Sequence, residues 1–154
     1  MDMVFLDVTN IHLLVEFEKK VRASEPHVFL DDFDEVRFAT ETANALHNPL
    51  YVSAKCLMCA DKAIGVIGRL DFSILYSYAF GGGLRIYVDW VCVLKAYRHK
   101  KIAQLLFAEM ENYIKKIGVN EYFLISAANA EAQNFYHAFE NAEINQQTVL
   151  TKTL

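Results

Sequence analysis

The chain has 154 residues, of which 54% are hydrophobic, 13% aromatic and 22% charged. That length suits one domain spanning residues 1–154, and the composition can fill a core and argues against disorder. A formal net charge of −4 speaks against a protein that seeks nucleic acid or an anionic membrane over its whole surface.

No apolar run reaches the roughly 18 residues of a membrane helix. Met1-Asp2-Met3 lacks a signal peptide's basic start, so the expectation is a cytoplasmic protein with no membrane partner. Three cysteines form an odd set, which does not suggest a disulfide framework. Cys56 and Cys59 spell C-x-x-C, but no second pair of ligands completes a zinc site. Positions three apart on a strand also face opposite sides. No metal is expected.

In chain order, Val4 to Val8 reads as a first strand, and Thr9 or Asn10 can cap the helix after it. Ile11, Leu14, Val15 and Val21 recur near helical spacing, with Glu16, Glu18, Lys19 and Lys20 mostly outside. Residues 22–33 break the pattern. Asp34 can start a second helix with Val36, Ala39, Ala43 and Leu46 on one face, and Asn48-Pro49 stops it.

Strands follow at about 50–60 and 63–79, with Gly65 and Gly68 suggesting a bend or bulge in the second. Gly81 to Gly83 turn the chain into a strand at 84–94. A long amphipathic helix at about 100–117 is expected to bury Ala103, Leu106, Phe107, Met110, Ile114 and Ile117, and Gly118 ends it. A strand at 121–126, a short helix at 130–139 and a closing strand at 144–154 complete one α/β domain.

Residues 95–101 hold Lys95, Arg98, Lys100 and Lys101, with His99 among them. A basic turn that feeds a helix N-terminus is suited to an anion, because the first helical N–H groups lack acceptors and the dipole is positive there. A turn merely solvated by lysines fits the same spacing. A local basic site on an acidic chain suits a small polyanion better than a duplex.

At this turn the sequence resembles the coenzyme-binding motif Q/R-x-x-G-x-G/A of the GCN5-related N-acetyltransferase (GNAT) superfamily. Val93, Tyr97, Arg98 and Ala103 match, whereas Lys95 stands for a common proline and Lys101 for the central glycine. Downstream, Asn129 to Tyr136 is similar to the family's N-x-x-A-x-x-F-Y segment. Glu140-Asn141 stands where Gly-Phe is usual. The resemblance implies a mixed, mostly antiparallel sheet of six to seven strands, splayed in the middle and flanked by about four helices.

It also implies transfer of an acetyl group from acetyl-coenzyme A to a primary amine of a small molecule or peptide. Main-chain groups of Cys92, Val93 and Leu94 would hold the pantetheine arm. The backbone of Arg98, His99, Lys100, Lys101, Ile102 and Ala103 would hold the pyrophosphate. Tyr136 would act as general acid to the leaving thiolate, or else fill the core beside Phe135. Asn129 would reach the coenzyme, or only cap its helix.

Strand alternation puts Asp89 on the face of Tyr87, Val91 and Val93, as either a general base or a structural carboxylate. Glu25, Asp31, Asp32, Asp34 and Glu35 could attract a cationic acceptor, with His27, Tyr76 and Tyr78 near it. A non-catalytic acyl-coenzyme-A-binding sensor is the competing reading, on the strength of Lys101 and the missing Gly-Phe. Homodimers are frequent among similar proteins, and no residue identifies an interface.

Overall fold

The computed structural model describes residues 1–48, 54–77, 83–127, 129–145 and 152–153. Contacts divide the chain into two units, Met1–Leu124 and Ile125–Leu154, each considered by itself. The first unit contains, in order, β1 (Asp2–Phe5), α1 (Ile11–Ser24), α2 (Glu35–His47), β2 (Ala54–Asp61), β3 (Gly65–Ser77) and β4 (Gly83–Val93). A 3-10 turn (Lys95–Tyr97), α3 (Ile102–Lys116) and β5 (Tyr122–Leu124) complete it. The second unit carries α4 (Ala130–His137).

Among the described residues one sheet of five strands forms, in the order β1-β2-β3-β4-β5. The first three pairings are antiparallel, and β4 with β5 is parallel. A parallel pair needs a long crossover, which α3 supplies. Six to seven strands were expected from the resemblance. The read closing strand at 144–154 falls largely outside the described residues, as do the start of the strand at 50–60 and the end of that at 63–79. The strand expected to be buried at 121–126 is shorter, three residues with Phe123 48% exposed.

The two faces of the sheet are covered differently. On one, α3 buries Ile102, Leu106, Phe107, Met110 and Ile114, whereas Ile117, expected with them, lies past the last helical residue and is 36% exposed. Its Tyr113 ring meets Phe5 at 5.1 Å and Phe72 at 5.9 Å. Gly68 makes this approach close, since a methyl group there would lie 2.8 Å from Ile102 Cγ2.

On the other face, α1 buries Leu14, Phe17, Val21 and also Glu18, which is only 6% exposed. The sequence pattern put Glu18 outside. It is buried because Arg69, projecting from β3, donates to its Oε1 at 2.6 Å. The same guanidinium donates from Nε to Asp71 Oδ1 at 2.8 Å and stacks 5.0 Å from the Trp90 ring centre. A buried charge needs such partners.

Caps also depart from expectation in one place. Asp34 caps α2 by accepting from the Arg37 N–H at 2.9 Å. Asn10 precedes α1 but bonds backwards, accepting from the Asp7 N–H and donating to the Phe5 carbonyl, both at 2.8 Å. It ties the end of β1 rather than the helix.

Two bulges shape the sheet. Cys59 pairs with Gly68 and Ala60 with Val66, so Ile67 is an extra residue in β3, where the glycines suggested one. Asp71 pairs with Trp90 and Phe72 with Val88, so Asp89 is an extra residue in β4. An inserted residue shifts the alternation by one.

Replacing Gly68 by alanine should destabilise the fold by about 1–3 kcal/mol, because the stiff, buried Ile102 must move; urea unfolding measures it. Lys101, the residue before α3, has φ 63° and lies in the left-handed region. That conformation costs a side-chain-bearing residue about 1–2 kcal/mol, partly offset by the greater unfolded-state freedom of glycine. Lys101→Gly should therefore raise stability by about 0.5–1 kcal/mol, read as a higher Tm; a lower Tm would mean the lysine makes a stabilising contact.

Candidate functional site

Pairing of β4 with β5 begins at Ile86↔Tyr122 and stops at Val88↔Leu124. Beyond the bulge, Asp89 to Val93 has no strand partner on that side among the described residues. Val93 and Leu94 are buried and Cys92 is half-buried; the Leu94 carbonyl accepts from the Tyr97 N–H at 2.7 Å. Burial pushes the Cys92 thiol up to about 11, so it is a neutral thiol at physiological pH and a poor acyl carrier.

The chain then turns over Lys95–Tyr97, anchored by the Leu94 N–H donating to the Ile67 carbonyl at 3.0 Å. His99 and Lys101 both take positive φ, 60° and 63°. Lys101 thus adopts the backbone shape that the motif glycine would supply, without being glycine. His99, Lys100 and Lys101 are exposed, while Ile102 is buried and Ala103 half-buried against the sheet. Lys100 Nζ sits 5.0 Å from the Tyr97 ring centre.

Arg98 is engaged differently from its neighbours. Its Nε donates to the Val93 carbonyl at 3.2 Å, and its two terminal nitrogens hold both carboxylate oxygens of Glu25. Glu25 follows the last residue of α1. The Arg98 side chain is thus a clamp between α1 and the turn, committed to a carboxylate, and leaves the expectation for its backbone untouched.

Asp89 is exposed, and its Oδ2 accepts from the Ser73 hydroxyl at 2.8 Å. Burial around the carboxyl raises its pKa, the Ser73 bond opposes the rise, and the Asp71 charge adds to it. The bulge corrects the expected sidedness. Asp89 stays with Tyr87 on the α1 face through Ser73, whereas Val91 and Val93 pair with Leu70 and Gly68 on the α3 face.

Tyr87 meets Phe123 of β5 at 5.2 Å on this α1 side. Sequence reasoning missed Ser73 and Phe123, because a partner across strands is visible only once register is known. Tyr76, 61% exposed, pairs with Leu84 next to the Ile74–Ile86 pair and so belongs to the opposite face. His27 is exposed, and Tyr78 lies outside the described residues.

The acidic cluster is largely spent on internal partners. Glu25 binds Arg98, Asp31 binds Arg22 at 3.1 Å, Asp34 caps α2, and Glu35 binds Lys19 at 2.9 Å. A groove of about 430 Å³ between α1 and α2 is lined by Ile11, Val15, Val36 and Ala39, with His12 and Glu16 also at its wall. Among the described residues no three His, Cys, Asp or Glu side chains gather as a metal site, and no helix is long and apolar enough to cross a membrane.

In the second unit, Asn129 accepts from the Ala132 N–H at 2.8 Å and caps α4. Tyr136 packs edge-on against Phe135 at 5.1 Å and Phe139 at 5.6 Å. Burial raises the pKa of its phenol, which keeps the proton on the oxygen. Gln133 links the start of the unit, donating to the Ser126 hydroxyl at 3.0 Å and the Ala127 carbonyl at 2.9 Å.

Comparison with known proteins places this geometry. The chain resembles an aminoglycoside acetyltransferase from an uncultured soil metagenomic sample, solved in complex with sisomicin, at TM-score 0.80, 13% identity and coverage of 99% of this chain and 95% of that one. It resembles a ribosomal-protein-alanine N-acetyltransferase from Brucella melitensis biovar Abortus 2308 at TM-score 0.73 and 14% identity, over 99% and 100% of the two chains. A third relative, the aminoglycoside N-acetyltransferase AAC(6')-Iy in complex with CoA, matches at TM-score 0.73 and 15% identity, over 99% and 95%. These likenesses establish the α/β fold. No curated protein sequence matches the chain. The family model described as acetyltransferase (GNAT) family matches residues 14–140, and the chain belongs to that family.

Proposed function

We propose that residues 1–154 act as one catalytic domain that transfers an acetyl group from acetyl-coenzyme A to a primary amine. The observation that carries this reading is the loss of β4–β5 pairing at Val88, followed by an exposed basic turn into α3. The family match supports it and runs across both units. Bound acetyl-coenzyme A supplies an activated acyl group on a thioester.

The residues divide the work. Of the stretch Cys92, Val93 and Leu94, the main chain of Val93 receives the pantetheine arm as a strand edge receives another strand, since the Leu94 N–H and carbonyl are held by Ile67 and Tyr97. Backbone N–H groups at the start of α3, with Lys100 and Lys101 beside them, bind the diphosphate. The left-handed shape at Lys101 fits such a cradle. Arg98 contributes its main chain, and its side chain holds the loop to Glu25.

Asp89, oriented by Ser73, takes the proton that the amine loses as its nitrogen bonds to the acyl carbon. The carbon–sulfur bond breaks, and Tyr136 gives its phenolic proton to the departing sulfur. A phenol kept protonated by burial is suited to that role. Asn129 caps α4 and so fixes the start of the helix that carries Tyr136.

Thiol release with acetyl-coenzyme A and a panel of amines tests the function directly. Wild type should turn over, and Tyr136→Phe should lose about 100-fold in kcat or more with coenzyme affinity unchanged by calorimetry. Equal activity in the variant would remove Tyr136 from its role. Coenzyme binding with no turnover on any amine would make the protein a binding module instead.

The acid limb of kcat tests Asp89. Its carboxyl lies above the ordinary carboxylate value, so activity should fall as pH drops through that raised value. Ser73→Ala removes the bond that holds the value down and should move the limb to higher pH. An unmoved limb would exclude Asp89 as the base.

A further inference from the structure

The α1 face of the sheet carries a second stretch beyond the part that α1 covers. α1 reaches Arg69 and, through it, Asp71. Farther along the same face come Ser73 and Leu75 of β3, Arg85 and Tyr87 of β4 and Phe123 of β5. Leu75 is 43% exposed, Phe123 is about half exposed, and Tyr87 and Arg85 are half-buried. Asp89 ends the stretch at the bulge.

The charges on this stretch are few and separated. Arg85 makes no ion pair or hydrogen bond among the described residues, and Leu75 is its cross-strand neighbour. Asp71, on the same face of β3, is committed to Arg69, as is Glu18 of α1, while Glu25, Asp31 and Glu35 pair with Arg98, Arg22 and Lys19. A cation, an aromatic and aliphatic patch and a carboxylate therefore follow one another along β4. Four residues span roughly 13 Å before the bulge shortens the path.

Resting on the acetyltransferase reading, we propose that the acceptor is an amine on an apolar or aromatic body that ends in a carboxylate, such as a short hydrophobic peptide. Its amino end meets Asp89, its body lies on Tyr87, Phe123 and Leu75, and its carboxylate meets Arg85. A half-buried guanidinium without a carboxylate partner is suited to bind one. A polycation gains little here, because it would face Arg85 and find one uncommitted carboxylate on this stretch.

The arrangement makes Arg85 a specificity residue. The test compares leucyl-phenylalanine, its C-terminal amide and sisomicin as acceptors, with acetyl-coenzyme A and thiol release as readout. The expected kcat/KM is at least tenfold higher for the acid than for the amide, with sisomicin below both. Arg85→Gln should bring the acid-to-amide ratio to about one, and Arg85→Glu should invert it. These ratios compare acceptors within one protein, and the wild-type comparison decides even where a variant folds poorly.

A wild-type preference for the amide or for sisomicin, with coenzyme bound and turned over, overturns the acceptor assignment and leaves the acetyltransferase reading intact. Absence of coenzyme uptake by calorimetry overturns both.

Discussion

One extra residue in β4 sets the geometry of the half of the sheet where the proposed site lies. With Asp89 inserted opposite the Asp71–Phe72 step, the strand bends and its alternation slips by one place. Upstream of the slip, β4 pairs with β5 through three positions; downstream it has no such neighbour among the described residues. The same insertion keeps a carboxylate on the α1 face while sending Val91 and Val93 to the packed α3 face. The end of β4–β5 pairing and the presentation of Asp89 thus fall at the same irregularity.

Two ion-paired arginines hold the surroundings in register. Arg69 joins α1 to the sheet through Glu18 and lies over Trp90, directly beside the bulge. Arg98 joins the end of α1 to the turn before α3 through Glu25. Such pairs are weak evidence for stability, since desolvation offsets much of the attraction, but losing one partner leaves an expensive charge. Their role here is placement: α1 is pinned at one point to β3, the neighbour of β4, and at another to the turn of the proposed donor site. Gly68 does the matching work for α3, removing the side chain that would keep its first turn off the sheet.

Much of this was legible in the chain. The hydrophobic spacing of Leu106, Phe107, Met110 and Ile114 marked α3, Asp34 marked the start of α2, and the glycines of β3 marked its bulge. The basic turn and the Asn129–Tyr136 segment carried the family resemblance, and the family model match agrees with it. What failed to show was pairwise. Glu18 read as a surface residue because its partner lies 51 positions away on another strand. The Arg98 side chain's partner was hidden in the same way, because the helix-end Glu25 lies 73 positions away. The sidedness of Asp89 was misread past the bulge because a period of two assumes an unbroken ladder.

The basic residues of the turn divide into two kinds that ions in solution will treat differently. Lys100 and Lys101 stand in water, where counterions cut their field within about 8 Å at physiological ionic strength. Arg98 and Glu25 are mostly withdrawn from water and are screened far less. Added salt therefore weakens the turn's long-range pull on an anion while leaving the loop's own architecture in place.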